Sequence, residues 1–134
     1  MTRHGSCLCG AIRFTVAGPM RPIVACHCGQ CQKITGNYVA ATSAPRDSVD
    51  MTGGVRWFQS SETARRGFCP TCGSALFWDG PGENLSIMAG ALDDATGLAL
   101  AGHIFCADRG SWTDIPNGVP QAPGADPDLT TMVP

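Results

Sequence analysis

The sequence predicts a mainly β fold organised around cysteine-bearing turns, and three observations lead there. Short runs of β-branched and aromatic residues recur about seven times between turn signals. No segment sustains the apolar repeat of an amphipathic helix. Seven of the eight cysteines fall into three clusters, Cys7/Cys9, Cys26/Cys28/Cys31 and Cys69/Cys72, and each cluster abuts a glycine.

Taken in chain order, residues 11–16 alternate, with Ile12, Phe14 and Val16 on one face and Arg13 and Thr15 on the other, the period of a half-buried strand. Residues 22–25 form a short apolar approach to the central cysteines. Residues 32–36 can make one helical turn ended by Gly36. Residues 37–42 read as a strand, and residues 45–54, with Asp47, Asp50 and the Gly53-Gly54 pair, read as turn chemistry. Strands are expected at residues 55–59, 63–68 and 75–78, the last two closing a hairpin through Cys69-Pro70-Thr71-Cys72-Gly73. Residues 85–89 and 103–105 complete the set. From residue 116 to 134 there are five prolines, two glycines and few large apolar groups, which predicts an ordered start packed on the core and a frayed end over residues 121–134.

At 134 residues the chain is read as one globular domain over residues 1–134. With 43% hydrophobic and 15% charged residues it is not the composition of a disordered chain. Seventeen glycines and ten prolines predict many turns. A formal charge of -2 supplies no field for a polyanion, so no nucleic-acid partner is expected. No apolar run approaches the roughly 18–20 residues that span a bilayer, and residues 1–25 lack the pattern of a secretory signal. A cytoplasmic location without a membrane partner is therefore expected. There, clustered thiols serve as metal ligands or redox groups more often than as disulfides.

Zinc takes four ligands in a tetrahedron, and a structural site usually draws two cysteine pairs from two chain segments. Cys7/Cys9 and Cys69/Cys72 supply such pairs about 60 residues apart, and a closed site would tie the first strand to the central hairpin. The glycine at each Cys-Gly junction, Gly10, Gly29 and Gly73, would let the backbone fold back and aim N–H groups at sulfur. Cys26, Cys28 and Cys31, in Cys26-His27-Cys28-Gly29-Gln30-Cys31, are then one ligand short. That is the pattern of an open, catalytic zinc site, where a small-molecule thiol in the fourth position becomes a thiolate able to attack an aldehyde or another electrophile. Three ligands hold an ion less firmly than four, so the second zinc is expected to be the more labile.

Other residues compete for roles. His27, His103 or Cys106 could close the fourth position, although neighbours in extended backbone point to opposite faces and a lone cysteine is usually a small buried hydrophobe. His4, near a terminus, is expected in solvent. Trp57, Trp78 and Trp112 read as core or core-edge residues, with a substrate wall as the lesser role. The Arg65-Arg66 pair reads as a solvated face, Arg109 could bind a substrate carboxylate, and Asp93-Asp94 reads as a turn or cap.

Residues 5–14 with Cys7 and Cys9, the Cys26–Cys31 hexapeptide, residues 68–74 with Cys69 and Cys72, residues 91–94, and residues 103–105 with Trp112 resemble, in order and spacing, the glutathione-dependent formaldehyde-activating enzyme family. The resemblance covers residues 5–120 and implies a β-tent fold with two zinc sites. It implies Cys7, Cys9, Cys69 and Cys72 at the structural zinc and Cys26, Cys28 and Cys31 at the catalytic one. It also implies a carbon–sulfur lyase or synthase acting on a thiol adduct, glutathione and formaldehyde in the founding member. Cys106 falls where the family pattern asks for no cysteine. The alternative function is a non-enzymatic zinc-stabilised scaffold that binds a partner protein. The strand edges of a small β protein also allow a homodimer.

Overall fold

In the computed structural model, which describes residues 1–95 and 97–131, the mainly β prediction holds, and the strands divide into two sheets. The smaller sheet contains β1 (Thr2–Ser6), β2 (Arg13–Ala17) and β5 (Val49–Thr52), antiparallel in the order β1-β2-β5. The larger contains β3 (Ile23–Cys26), β4 (Val39–Pro45), β6 (Arg56–Gln59), β7 (Arg65–Phe68), β8 (Ala75–Asp79), β9 (Asn84–Met88) and β10 (Leu100–Ile104). Its order is β10-β3-β4-β9-β8-β7-β6, and β10 lies parallel to β3 while the other neighbours are antiparallel. One short helix, α1 (Gly29–Thr35), follows β3, and a second, α2 (Pro127–Thr130), lies near the end of the described chain. Among the described residues, no helix is long and apolar enough to cross a membrane.

The core forms where the two sheets face each other. Ile12, Phe14 and Val16 present the buried side predicted from their alternation, and they meet Leu76, Phe77, Leu85, Ile87 and Ala44 of the larger sheet. Phe14 and Phe77 pack edge to face with ring centroids 5.1 Å apart. Full burial of side chains of this size stabilises by about 1.5–3 kcal/mol each. Gly5 of β1 makes room for this contact, because a Cβ there would stand 2.0 Å from Phe14 Cζ.

The larger sheet has a second face, and this positions the site. On β9, Leu85 and Ile87 turn to the core while Asn84 and Ser86 turn the other way, and Met88 at the strand's end touches both the core and the cavity. On β4, Ala44 joins the core while Val39, Ala41 and Ser43 share that opposite face. Strand alternation thus gives the sheet one dry side and one that lines a cavity.

Two strands depart from the sequence reading. The stretch read as turn chemistry, residues 45–54, contains a single 3-10 turn at Arg46–Ser48 and then β5. β1 was not expected either. Both flank β2 and supply backbone hydrogen bonds while most of their side chains face outward, so neither carries an alternating apolar signal. The helical turn anticipated at residues 32–36 is α1, begun three residues earlier and closed by Gly36 at φ 86°. Of the stretch expected to fray, residues 132–134 lie outside the described residues. Within it, Gln121 bridges to His103, and Leu129 is buried with Val24 and Ile104.

Candidate metal centres

Cys7 and Cys9 lie on the turn between β1 and β2, and Cys69 and Cys72 on the turn between β7 and β8. The four sulfurs lie within 4.8 Å of one another. Cys7 Sγ stands 3.6 Å from Cys9 Sγ, and Cys9 Sγ 3.8 Å from Cys69 Sγ. A tetrahedral zinc with bonds of about 2.3 Å has sulfur–sulfur edges of about 3.8 Å, so the spacing and the all-sulfur donor set fit that ion. Gly10 and Gly73 take positive φ, +80° and +81°, as the folding-back of each knuckle requires. Backbone N–H groups then reach sulfur: Ile12 donates to Cys7 Sγ at 3.3 Å and Cys72 to Cys69 Sγ at 3.5 Å. The Ser74 hydroxyl, 3.2 Å from Cys72 Sγ, together with the Ser74 and Cys9 amides lowers the Cys72 pKa to about 5. Ser74 Oγ also accepts from Leu8 N, which joins the two knuckles. All eight cysteines are free thiols.

Cys26, at the end of β3, and Cys28 and Cys31, at the start of α1, bring their sulfurs within 4.8 Å of one another. Here the third glycine behaves differently. Gly29 opens α1 in helical conformation instead of taking a positive φ, and Cys28 is the N-cap. Cys28 Sγ accepts from Cys31 N at 3.4 Å and stands 3.2 Å from Cys31 Sγ. Contacts with the Cys26 and Cys31 sulfurs, aided by the Cys31 and Gln30 amides, outweigh burial and lower the Cys28 pKa to about 2. The same contacts with Cys28 and Cys31, with burial, push the Cys26 thiol up. Among the described residues, no further His, Cys, Asp or Glu joins either group. Each group has the donor number and spacing to hold a metal ion, the first with four sulfurs and the second with three.

The three sulfurs open onto a cavity of about 680 Å³ on the second face of the larger sheet, whose walls include Trp78, Ser43, Met88 and Phe105. Trp78 is thus half-buried and lines the cavity instead of joining the core. Trp57 packs against the core as expected, stacked near Phe77, but Trp112 is 65% exposed and its indole N–H reaches only Asn37 Oδ1.

The remaining candidates divide. His27 points away from the trio: it is 1% exposed, with its Nε2 2.9 Å from His103 Nδ1 and its ring 4.8 Å from that of Tyr38. Burial lowers the pKa of both imidazoles. Cys106 is buried in a 3-10 turn, and burial raises its pKa. Arg109 and His4 are exposed. Asp93 Oδ1 accepts from Ser6 Oγ at 2.7 Å, tying the segment after β9 to β1.

The Arg65-Arg66 pair does not form one solvated face. Because neighbours on a strand point oppositely, Arg65 is exposed, paired with Asp79 at 2.9 Å and laid 4.0 Å over the Trp57 ring, while Arg66 is 8% exposed and turns into the cavity. A second arginine there, Arg21, was not singled out from sequence. It precedes β3 in a proline-flanked stretch with no periodic signal, and it is 4% exposed.

A β chain whose two turn-borne thiol groups converge, one closed by four sulfurs and one open to a cavity, has the donor chemistry of a thiolate metal protein. The chain belongs to the glutathione-dependent formaldehyde-activating enzyme family, whose profile matches residues 2–108. It is similar to a Halomonas elongata protein provisionally named as a glutathione-dependent formaldehyde-activating enzyme, with 30% identity over 128 residues covering 86% of this chain and 82% of that protein. It is also similar to a Schizosaccharomyces pombe protein described as an uncharacterized lyase, with 31% identity over 76 residues and 56% of each chain covered. In fold it is similar to a crystal structure of a Rhodobacter sphaeroides protein, with TM-score 0.58 and 20% identity, covering 88% of this chain and 98% of that one.

Proposed function

We propose that the protein is a cytosolic zinc-dependent carbon–sulfur lyase or synthase acting on the adduct of a small, glutathione-like thiol with an aldehyde such as formaldehyde. The observation that carries this reading is the trio Cys26, Cys28 and Cys31: three convergent sulfurs, no fourth protein donor among the described residues, and an adjoining cavity. Family membership and the lyase description of one relative support the reaction class.

In this reading Cys7, Cys9, Cys69 and Cys72 hold a structural zinc, and Cys26, Cys28 and Cys31 hold a catalytic one. Bound by the trio, zinc supplies a positive charge that favours the thiolate form of a substrate thiol and polarises a carbonyl. The protein's own part is to keep that position open and oriented. Cys28 is fixed as the N-cap of α1, and Gln32 Nε2 donates to the carbonyls of His27 and Asp108, at 2.9 and 2.6 Å, which pins the helix over the end of β3. His27 and His103 hydrogen-bond to each other, Nε2 to Nδ1 at 2.9 Å, and neither imidazole joins the trio. In the forward direction the substrate sulfur bonds to the aldehyde carbon, the carbonyl electron pair moves to oxygen, and the thiol proton ends on that oxygen. The reverse direction breaks the carbon–sulfur bond.

Metal analysis and an assay test this together. Two zinc ions per chain are expected, with thiol consumption when formaldehyde is added. A Cys28→Ser variant that unfolds as badly as Cys69→Ser would make the trio a structural site and favour the protein-binding scaffold instead.

A further inference from the structure

Arg21 and Arg66 are buried guanidinium groups without a carboxylate. They are 4% and 8% exposed. Arg46 and Arg65 pair with Asp79, whereas among the described residues neither Arg21 nor Arg66 takes part in an ion pair. Arg21 donates from Nε to Ser43 Oγ and from Nη2 to the Ala41 carbonyl, both at 3.1 Å, which leaves its buried Nη1 without a partner. Arg66 donates from Nη2 to Gln30 Oε1 at 3.1 Å and stands 3.9 Å from Cys31 Sγ, which leaves its buried Nε without a partner.

Both side chains line the cavity onto which Cys26, Cys28 and Cys31 open. The carboxylate that also lines it, Glu83, is exposed and in ion-pair contact with neither arginine. A buried charge without a counter-ion is strongly unfavourable. Arg66 has the sulfurs of the trio beside it, at 3.9 Å from Cys31 Sγ. Arg21 has no anionic neighbour among the described residues, unlike Arg46 and Arg65, which are closed on Asp79. The spare donors instead match a bidentate anion entering from the cavity. The two sites are separated along β4. Cys26 pairs with Val39, whereas Arg21 holds Ala41 and Ser43, two and four residues further on, or about 7–13 Å at a strand rise of roughly 3.3 Å per residue.

We propose that Arg21 and Arg66 form an anion-binding wall that selects thiols carrying carboxylates, with Arg66 beside the reacting sulfur and Arg21 receiving a carboxylate at the far end of the cavity. This rests on the trio being the position of the substrate sulfur, and the test separates the two. Calorimetry on the zinc-loaded protein compares glutathione, its carboxyl-esterified form, and S-methylglutathione, whose sulfur is blocked. The free acid is expected to bind at least about tenfold more tightly than the ester, the scale of one charge-assisted hydrogen bond. S-methylglutathione is expected to keep a measurable affinity through its carboxylates alone. Arg21→Met is expected to bring the free acid down to the level of the ester, with Arg21→Lys intermediate because it keeps the charge and loses the fork.

Equal binding of acid and ester by the wild-type protein overturns the proposal without any variant having to fold. So does an Arg21→Met protein that weakens acid and ester by the same factor, the mark of a merely structural arginine. If acid is preferred over ester but no thiol is consumed with formaldehyde, the anion wall stands and the lyase reading falls. If thiol is consumed without preference for the acid, the lyase reading stands and the wall falls.

Discussion

The two thiol groups of this chain are built from the same residue type and differ in reach. Cys7/Cys9 and Cys69/Cys72 come from two knuckles 60 residues apart and join the turn between β1 and β2 to the hairpin between β7 and β8. Cys26, Cys28 and Cys31 come from one local segment and leave one side to a cavity. A centre that joins distant segments restrains the chain, and its loss is felt as unfolding. A centre built within six residues restrains little, so it can be left one donor short at small cost in stability. The arginines repeat the contrast: Arg46 and Arg65 are closed on Asp79, while Arg21 and Arg66 stay open toward the cavity.

The largest effect that can break this comparison is loss of the closed centre. Apparent binding energies of structural zinc reach about 10–16 kcal/mol, comparable with the whole stability of a domain at about 5–15 kcal/mol. Cys69→Ser is therefore expected to abolish the cooperative thermal transition followed by circular dichroism, and a cooperatively melting variant would refute the division. Cys28→Ser is expected to remove one zinc and all turnover while moving Tm by only about 4 °C, the equivalent of about 1 kcal/mol, because serine is itself a favoured N-cap. A chelator titration with two phases, the first silent in circular dichroism, tests the same point without mutation; release of both ions in one step would contradict it.

Between these extremes lies the packing that holds the closed centre's sheet in place. Gly5→Ala would drive a Cβ into the Phe14 ring, and overpacking of this kind costs about 1–3 kcal/mol, read as a lower urea midpoint with both zincs retained. The smallest effect belongs to the closed arginine pair. Burial alone would raise the Asp79 pKa, but hydrogen bonds from Arg65 and Arg46 and their charges outweigh it and hold the carboxyl below its ordinary value. A depressed carboxyl contributes stability that is present above its unfolded pKa of about 3.9 and is lost as pH falls through the folded value. With both arginines more than a third exposed, solvent screening keeps the contribution to at most about 1 kcal/mol. Asp79→Asn should flatten the acid limb of stability against pH relative to wild type. An unchanged limb would show the pair to be inert.

Sequence patterns located what depends on neighbours in the chain. The alternation of Ile12, Phe14 and Val16 named the core face of β2, and Gly36 named the end of α1. The one- and two-residue gaps between cysteines grouped the seven thiols that converge in space. β1 and β5 escaped because an edge strand that buries its backbone hydrogen bonds and not its side chains leaves no apolar period to read.

By itself the sequence determined the β class and the division of the thiols into four and three, because turn chemistry and ligand spacing are local properties. Only the tertiary structure decided that the trio faces a cavity, that His27 and His103 turn to each other, and that Arg66 parts from Arg65 to line the same cavity as Arg21. Each of these depends on which face of a strand meets which partner across the sheet. Strand order brings residues as distant as Arg21 and Arg66 to one cavity, and no spacing along the chain records it.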